Sequence, residues 1–584
     1  PYSGDWTYSP PSGFGEMKST ITGIGNAATW NPLTLSGGAL SEGNTKFTAS
    51  GSSQGCLATI AASSGKYFCE AKLTRADTVF FGVKPTISSL MTTQSASSPW
   101  NQQQNLYFGY LSCDALGGNI VKPQTADVTS DQSTSGNYSI TSGDTIGCVL
   151  DLDDYDVRWY KLTNGAWVQI THSTAAATTV DLYPANQAWT FVARGTTSGD
   201  IVDANFGQRP FSATPPDSAV ALTTANISEP TITDPSAYFG TILYSGNSTS
   251  DTNRTGLTNA SGTAWTPDFA WLKGRSGGTA THKLYDSVRG AGNEINPDST
   301  NAQSTYTAGM SAFISGGITV GNGTTGYNES GRTFVVWCLK ANGAGSSDDT
   351  GGITVTRSTA DHQGFSICKG TSTSGTQNFA HGLGAKPEFV IVRDLEDSSQ
   401  NWQVQHKDVN ANMKDITTLG LNRTNDAGSS SDWWGAEPTS TLQYFTTNQV
   451  TGTNDFVAYL FRRIPGMIGI GSYVGNGNAD GTAVIIDDGA SGFKPAFLLI
   501  KEYDGSNNGN WFIRDNARDT YNPSKNDLYA NRTDEEYTDS NSDIDFTANG
   551  FKIKCNAGGY NENNAKNLYL AFAESPFGLN NRVR

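Results

Sequence analysis

Two adjacent tryptophans set among hydroxyls and a carboxylate, Ser429-Ser430-Ser431-Asp432-Trp433-Trp434-Gly435, form the segment of this chain best suited to hold a ligand. Neighbouring residues of a strand point to opposite faces, so the two rings cannot both bury against one core, and at least one indole is expected to be partly exposed. A flat ring beside Asp432 and serine hydroxyls suits stacking on a sugar. Packing against a neighbouring subunit is the competing use of the same surface. Asp432, Trp433 and Trp434 are the candidate ligand-binding residues. Trp402 and Trp511, each following the apolar strand of its repeat at a matching place, read as core.

Other chemistry is thinner. His172, His282, His362, His381 and His406 lie in separate segments and make no HxH or HExxH spacing, so no metal site or catalytic base stands out. No GxSxG elbow and no phosphate-binding glycine loop is present at a strand-to-helix junction. Asp151, Asp153, Asp154 and Asp156 could supply a carboxylate pair for glycan hydrolysis, but they fall on a hairpin turn, where aspartate is favoured for its local hydrogen bonds. The same cluster, or Asp480 in its glycine-asparagine loop, could gather Ca²⁺ through oxygen ligands, although neither follows the EF-hand pattern. The chain is expected to be no enzyme and to need no cofactor, with Ca²⁺ the one ion its acidic turns could attract.

The elements that must position these residues repeat. Pro267-Asp268-Phe269-Ala270-Trp271-Leu272-Lys273, Pro387-Glu388-Phe389-Val390-Ile391-Val392-Arg393 and Pro495-Ala496-Phe497-Leu498-Leu499-Ile500-Lys501 are each a proline, an apolar run and a closing cation. Each reads as a buried strand entered through a proline at its first position, where no ladder N–H is needed. A short opening strand precedes each copy, at 240–247, 364–370 and 469–476, and a closing strand comes after it, at 333–340, 455–462 and 567–574. Three matching elements in the same order, at domain-sized spacing, predict three tandem β-modules, each with its own core.

Composition agrees. Only 16% of the 584 residues are charged, and 65 glycines accompany abundant Ser, Thr and Asn, a β-rich and turn-rich make-up. Thirteen Trp, 23 Tyr and 26 Phe supply enough bulk for several cores, which argues against disorder. A formal net charge of −16 with no basic cluster makes nucleic acid a poor partner. No apolar run approaches the ~20 residues needed to cross a bilayer, so no membrane insertion is expected. Seven cysteines without paired spacing, Cys69, Cys148, Cys338 and Cys368 among them in apolar strand patterns, read as structural thiols rather than a disulfide framework.

Residues 26–212 carry a different pattern. Ser64 to Leu73 reads as a strand entered from a glycine turn. Gly143-Asp144-Thr145-Ile146-Gly147 through Leu150-Asp151-Leu152 runs across an acidic turn into Val157-Arg158-Trp159-Tyr160, and Ala204-Asn205-Phe206-Gly207-Gln208-Arg209-Pro210-Phe211 closes the segment. These phrases resemble the SPRY domain, a bent antiparallel β-sandwich that recognises other molecules through its edge loops. The family usually turns this hairpin on Asn-Gly or Asp-Gly; Tyr155 here predicts a longer or irregular turn. Trp6 to Phe14 resembles Pro210 to Ser218, where the closing phrase ends, so residues 1–25 are expected to be the tail of a preceding domain or a linker.

The expected architecture is all-β with little helix: a SPRY/concanavalin-like sandwich at 26–212, a linker at 213–238, and β-sandwich modules at 239–346, 347–465 and 466–584. The repeats, with Leu284-Tyr285-Asp286-Ser287-Val288-Arg289 and Asp515-Asn516-Ala517-Arg518, resemble a β-module found repeatedly in structural proteins of marine bacteriophages. The second copy departs from that D-x-x-R phrase with His406-Lys407-Asp408. The resemblance implies a virion protein, a tail fibre or related appendage that contacts a host-surface glycan or protein. It also implies other virion proteins as partners and a homo-oligomer, a trimer by class. A capsid-surface fibre or decoration protein, a glycan depolymerase and a cellular adhesin are the alternatives. Place on the particle, release of reducing ends and an upstream anchoring signal would distinguish them.

Overall fold

The computed structural model describes residues 26–52, 54–86, 109–113, 119–121, 134–135, 140–170, 180–182, 188–321, 326–505, 509–538, 542–556 and 558–576; the expected tail at 1–25 and His172 lie outside them. Among the described residues the regular elements are β-strands and short 3-10 turns such as Pro32–Thr34 and Met413–Asp415, so the protein is all-β.

The N-terminal part packs two sheets face to face. One runs in the order Ala39–Ser41, Lys46–Thr48, Ile201–Asn205, Lys66–Thr74, Thr145–Asp151, Asp156–Thr163, Ala166–Gln169; the other is built on Gln54–Leu57, Trp189–Gly195, Val79–Pro85 and Gly109–Cys113. Between them lie Trp30, Phe47, Cys69, Phe81, Cys148, Trp159, Phe191 and Phe206, and the Trp159 indole N–H donates across the sandwich to the Phe81 carbonyl at 3.2 Å. The hairpin is longer than Asn-Gly would make it. Asp151 pairs with Asp156, leaving a four-residue turn in which Tyr155 takes the left-handed conformation at φ 54°.

Each of the three C-terminal repeats forms a sheet with one strand order: opening, closing, proline-led, and a fourth strand hairpinned to the proline-led one. In the first repeat these are Phe239–Ser245, Thr333–Leu339, Phe269–Gly274 and Lys283–Asp286. In the second they are Phe365–Thr371, Asp455–Phe461, Phe389–Asp394 and Gln403–His406. In the third they are Ile468–Val474, Lys566–Pro576, Phe493–Asp504 and Trp511–Asp515. The prolines are placed differently from the expected first position. Pro267 and Pro387 precede their strands by two residues, whereas Pro495 sits inside its strand, where the register shifts on either side of it accommodate the missing N–H.

Strand alternation sends two sets of side chains in opposite directions. One set builds a private core for each repeat: Ala270, Leu272, Phe334 and Val336 in the first, Val390, Val392, Phe456 and Leu460 in the second, Leu498, Ile500, Tyr569 and Ala571 in the third. A small outer sheet covers each, such as Thr252–Thr255, Gly317–Val320 and Met310–Ile314 in the first repeat. The other set meets in a single core shared by all three repeats: Phe269, Trp271, Trp337 and Leu339; Phe389, Ile391, Tyr459 and Phe461; Phe497, Leu499, Leu570 and Phe572. The proline-led and closing strands are thus buried on both faces, which is why they read as unbroken apolar runs rather than alternating ones. The three repeats close around an approximate three-fold axis.

Candidate functional site

The strand-closing cations show how the repeats are joined. Lys273, Arg393 and Lys501 are completely buried, and each donates to carbonyls of another repeat as well as to carbonyls of its own. Lys273 Nζ donates to Thr533 O at 2.9 Å, Arg393 Nη2 to Thr300 O at 2.6 Å and Asn301 O at 3.0 Å, and Lys501 Nζ to Thr424 O at 3.1 Å. The first repeat reaches the third, the second reaches the first, and the third reaches the second. Burial pulls both lysines down to about 8 and Arg393 to about 10, the signature of cations spent on dipoles rather than on full counter-charges.

Two further sets of bonds follow the same cycle. At the head of the fourth strand, Trp402 Nε1 donates to Asn296 O at 3.0 Å and Trp511 Nε1 to Gly420 O at 2.9 Å. The matching residue of the first repeat is His282, whose Nε2 lies 2.9 Å from Tyr529 O. Its Nδ1 accepts the Trp271 indole N–H at 2.8 Å, so the ring carries its proton on Nε2 and donates to Tyr529 as the tryptophans do. The backbone completes the set. Gln303 N donates to Leu395 O at 2.7 Å, Ala427 N to Tyr503 O at 2.9 Å and Glu536 N to Arg275 O at 2.8 Å.

The departure of the second repeat from D-x-x-R has a packing reason. Trp337 Nε1 donates to Asp515 Oδ2 at 2.9 Å and Tyr459 Oη to Asp286 Oδ2 at 2.6 Å, each closing strand thus feeding a proton donor to the aspartate of another repeat. Asp286 and Asp515 are paired with Arg289 and Arg518 at 2.6 Å and 2.5 Å, all with side chains fully buried. The third repeat carries Leu570 at the place of Trp337 and Tyr459, and a leucine gives no donor. The second repeat answers with His406 and Val409 instead of Asp and Arg. His406 is fully buried, and burial lowers its pKa to about 4, so it is neutral.

The histidines therefore work as neutral packing groups. Burial holds His381 and His362 near 4 and His282 well below its ordinary value. A depressed histidine stabilises the fold fully above the unfolded pKa of about 6.5, and that contribution is lost as pH falls toward 4, by up to about 1.4 kcal/mol per unit for each ring. Asp298 and Asp488, which burial raises to about 6, act in the opposite sense below pH 6, but the histidines outnumber them. Thermal stability is expected to fall between pH 6.5 and 4.5, and less steeply in His406→Leu. A flat profile, or an unchanged slope in the variant, would contradict this assignment.

The acidic turns are internally neutralised. The Asp151 carboxylate accepts the N–H groups of Asp153 and Asp154, both at 3.2 Å. It pairs with Lys66 at 2.6 Å, while Arg158 holds Asp156 at 2.6 Å. Asp480 is exposed and pairs with Lys552 at 2.9 Å. Among the described residues no group of three or more His, Cys, Asp or Glu is arranged to hold a metal ion. No described helix is long and apolar enough to cross a membrane.

The two-tryptophan segment divides. Trp434 is fully buried in the private core of the second repeat and donates its indole N–H to Ile416 O at 2.9 Å, so its face is closed to a ligand. Trp433 is half-buried against the same core. Its carbonyl accepts Thr446 Oγ1 at 3.0 Å and Asn448 Nδ2 at 3.1 Å, which anchor the main chain there, while its indole nitrogen is buried without a hydrogen-bond partner among the described residues. Asp432, exposed and in the left-handed conformation at φ 55°, receives Lys414 Nζ on Oδ1, and its N–H donates to Asp415 Oδ1 at 2.8 Å. The candidate site is Trp433 with the Asp432–Lys414 pair beside it. At least one partly exposed ring was expected from strand alternation, but residues 431–434 form a turn, so the rings are separated by turn geometry; the lysine, from a distant turn, carried no local signal.

Comparison with known proteins gives one family. A family profile described as "Domain of unknown function (DUF7483)" matches residues 234–576, spanning all three repeats. Among solved structures, the TRIM65 PSpry domain aligns at 14% identity and a TM-score of 0.22, covering 31% of this chain and 92% of that one. The SPRY domain of human HERC1 aligns at 19% identity and a TM-score of 0.20, covering 31% and 99%. No curated protein matches the chain.

Proposed function

Because this chain belongs to the DUF7483 family, whose function is undefined, we propose its role from its own residues: a non-catalytic structural and display protein. In this reading it is a tail fibre or related appendage of a virion, exposed outside the cell, that holds a host-surface glycan. The observation that carries the reading is the use made of buried ionisable groups in the repeats. Lys273, Arg393 and Lys501 donate across the junctions, and the buried Asp286–Arg289 and Asp515–Arg518 pairs receive Tyr459 and Trp337 from other repeats. An enzyme keeps perturbed groups at an accessible cleft; a display scaffold spends them on rigidity. The likeness of the repeats to modules of marine bacteriophage structural proteins supports the same direction. Assembly into an oligomer would multiply weak sites of about mM affinity into useful avidity, a gain of about 10²–10⁴.

The contact proposed for the glycan is the face of Trp433, with Asp432 and Lys414 as polar partners for sugar hydroxyls. Trp433→Ala is expected to weaken binding of the purified chain to bacterial surface polysaccharides by roughly tenfold, equivalent to about 1.4 kcal/mol, in a chain that remains folded by far-UV circular dichroism. Equal binding by wild type and variant would remove Trp433 from the site. Release of reducing ends from the polysaccharide would overturn the non-catalytic reading itself.

A further inference from the structure

One buried cluster of side chains takes no part in the bonds between repeats; of its members only the Asn296 backbone carbonyl does, by accepting Trp402 Nε1. Leu284 bridges Ile295 in antiparallel register, which sets Lys283 opposite Asn296 and Tyr285 opposite Glu294. Lys283, Glu294 and Asn296 are all buried. The Glu294 carboxylate is held from both sides. Its Oε2 accepts the phenol O–H groups of Tyr285 at 2.6 Å and Tyr327 at 2.5 Å, while its Oε1 accepts Lys283 Nζ and Asn296 Nδ2, each at 3.1 Å. A single carboxylate oxygen thus joins an amine to a carboxamide on neighbouring strands. The amine is steadied by Thr281 Oγ1 at 2.7 Å and the Tyr327 ring at 4.7 Å, the carboxamide by the His282 carbonyl at 2.8 Å.

The fold does not require this set. The second repeat has Gln403 opposite Gly420 at the corresponding bridge, and the third has Phe512 opposite Tyr529. Only the first repeat places a nucleophile, a carbonyl carbon with a leaving nitrogen, and a shared proton acceptor in one water-excluded pocket. We propose that Lys283 and Asn296 form an intramolecular isopeptide bond promoted by Glu294.

The chemistry balances without a co-reactant. Glu294 accepts one proton from the Lys283 ammonium, and the freed amine attacks Cγ of Asn296. The Cγ–Nδ2 bond then breaks as a second amine proton passes to Nδ2. Ammonia departs, takes up the proton held by Glu294 and leaves as ammonium; the carboxylate is regenerated and nothing is oxidised or reduced. Fixing the partners side by side replaces a slow bimolecular aminolysis, and effective molarities of about 10⁵–10⁸ M are attainable for well-oriented groups. The product would staple the strand that follows His282 to its neighbour, on the side where the first repeat grips the third.

Intact-mass measurement of the denatured full-length chain tests this. The wild-type chain is expected to be lighter than its sequence mass by one ammonia, and peptide mapping should give a branched fragment joining Lys283 to Asn296. Glu294→Gln and Lys283→Arg, the second keeping the positive charge, are each expected at full sequence mass. A wild-type chain at full sequence mass overturns the proposal. So does an ammonia deficit that persists in Lys283→Arg, which would place it at another asparagine.

Discussion

Arg289→Ala is expected to destabilise the three-repeat body by about 3–5 kcal/mol, because it leaves the Asp286 carboxylate buried without its counter-charge. The guanidinium donates to Asp286 Oδ2 at 2.6 Å, Asn293 O at 2.8 Å and Leu284 O at 3.1 Å, and alanine can replace none of these bonds. The aspartate also receives Tyr459 from the second repeat, so the loss reaches across a junction. The protein contains the comparison that makes the effect interpretable. Where Leu570 stands in place of Tyr459, the facing repeat carries His406 and Val409, a set without charge. Transplanting that whole set into the first junction, as Asp286→His, Arg289→Val and Tyr459→Leu together, is expected to cost much less than Arg289→Ala alone. Replacing a buried ion pair with packed, uncharged side chains is often close to neutral. Urea denaturation of both variants measures the difference. A triple variant less stable than Arg289→Ala would show that the junction depends on charge itself.

The second large effect is expected at the axis. Phe572 of the third repeat is 3% exposed. Its ring lies 4.9 Å from Phe239 of the first repeat, 6.0 Å from Phe461 of the second and 5.7 Å from Phe497 of its own. Phe572→Ala removes the ring that all three share and is expected to cost about 3–5 kcal/mol through lost burial and the cavity left behind. In a row of independent modules that loss would stay in the third; in a closed body it is shared by every strand that faces the axis.

Much of this architecture was legible in the sequence. Proline, apolar run and cation marked the same strand three times, the flanking strands were found in order, and Tyr155 signalled an irregular turn. The shared core was not legible, because a strand buried on both faces reads the same whether its second face meets its own repeat or another. Phe239 and Phe572 touch at the axis although they stand at opposite ends of the repeat region, and no local pattern encodes such a contact. The closing cations read as strand ends, yet Lys273, Arg393 and Lys501 are buried inter-repeat ties. The departure at His406 was visible in the sequence, but its cause, Leu570 on a different repeat, could be seen only once the two faced each other. At the candidate site the two tryptophans lie in a turn rather than a strand, so alternation could not say that Trp434 is the core ring, and Lys414 approaches Asp432 through tertiary structure alone.

Whether the three repeats fold as one closed body is measured most directly by native-state hydrogen exchange of the wild-type chain and Phe572→Ala. The slowest amides of Phe269–Gly274, Phe389–Asp394 and Phe493–Asp504 are expected to open with one common free energy and to lose the same amount in the variant. Protection lost in Phe493–Asp504 but retained in the other two strands would contradict a single body and leave three modules that merely touch.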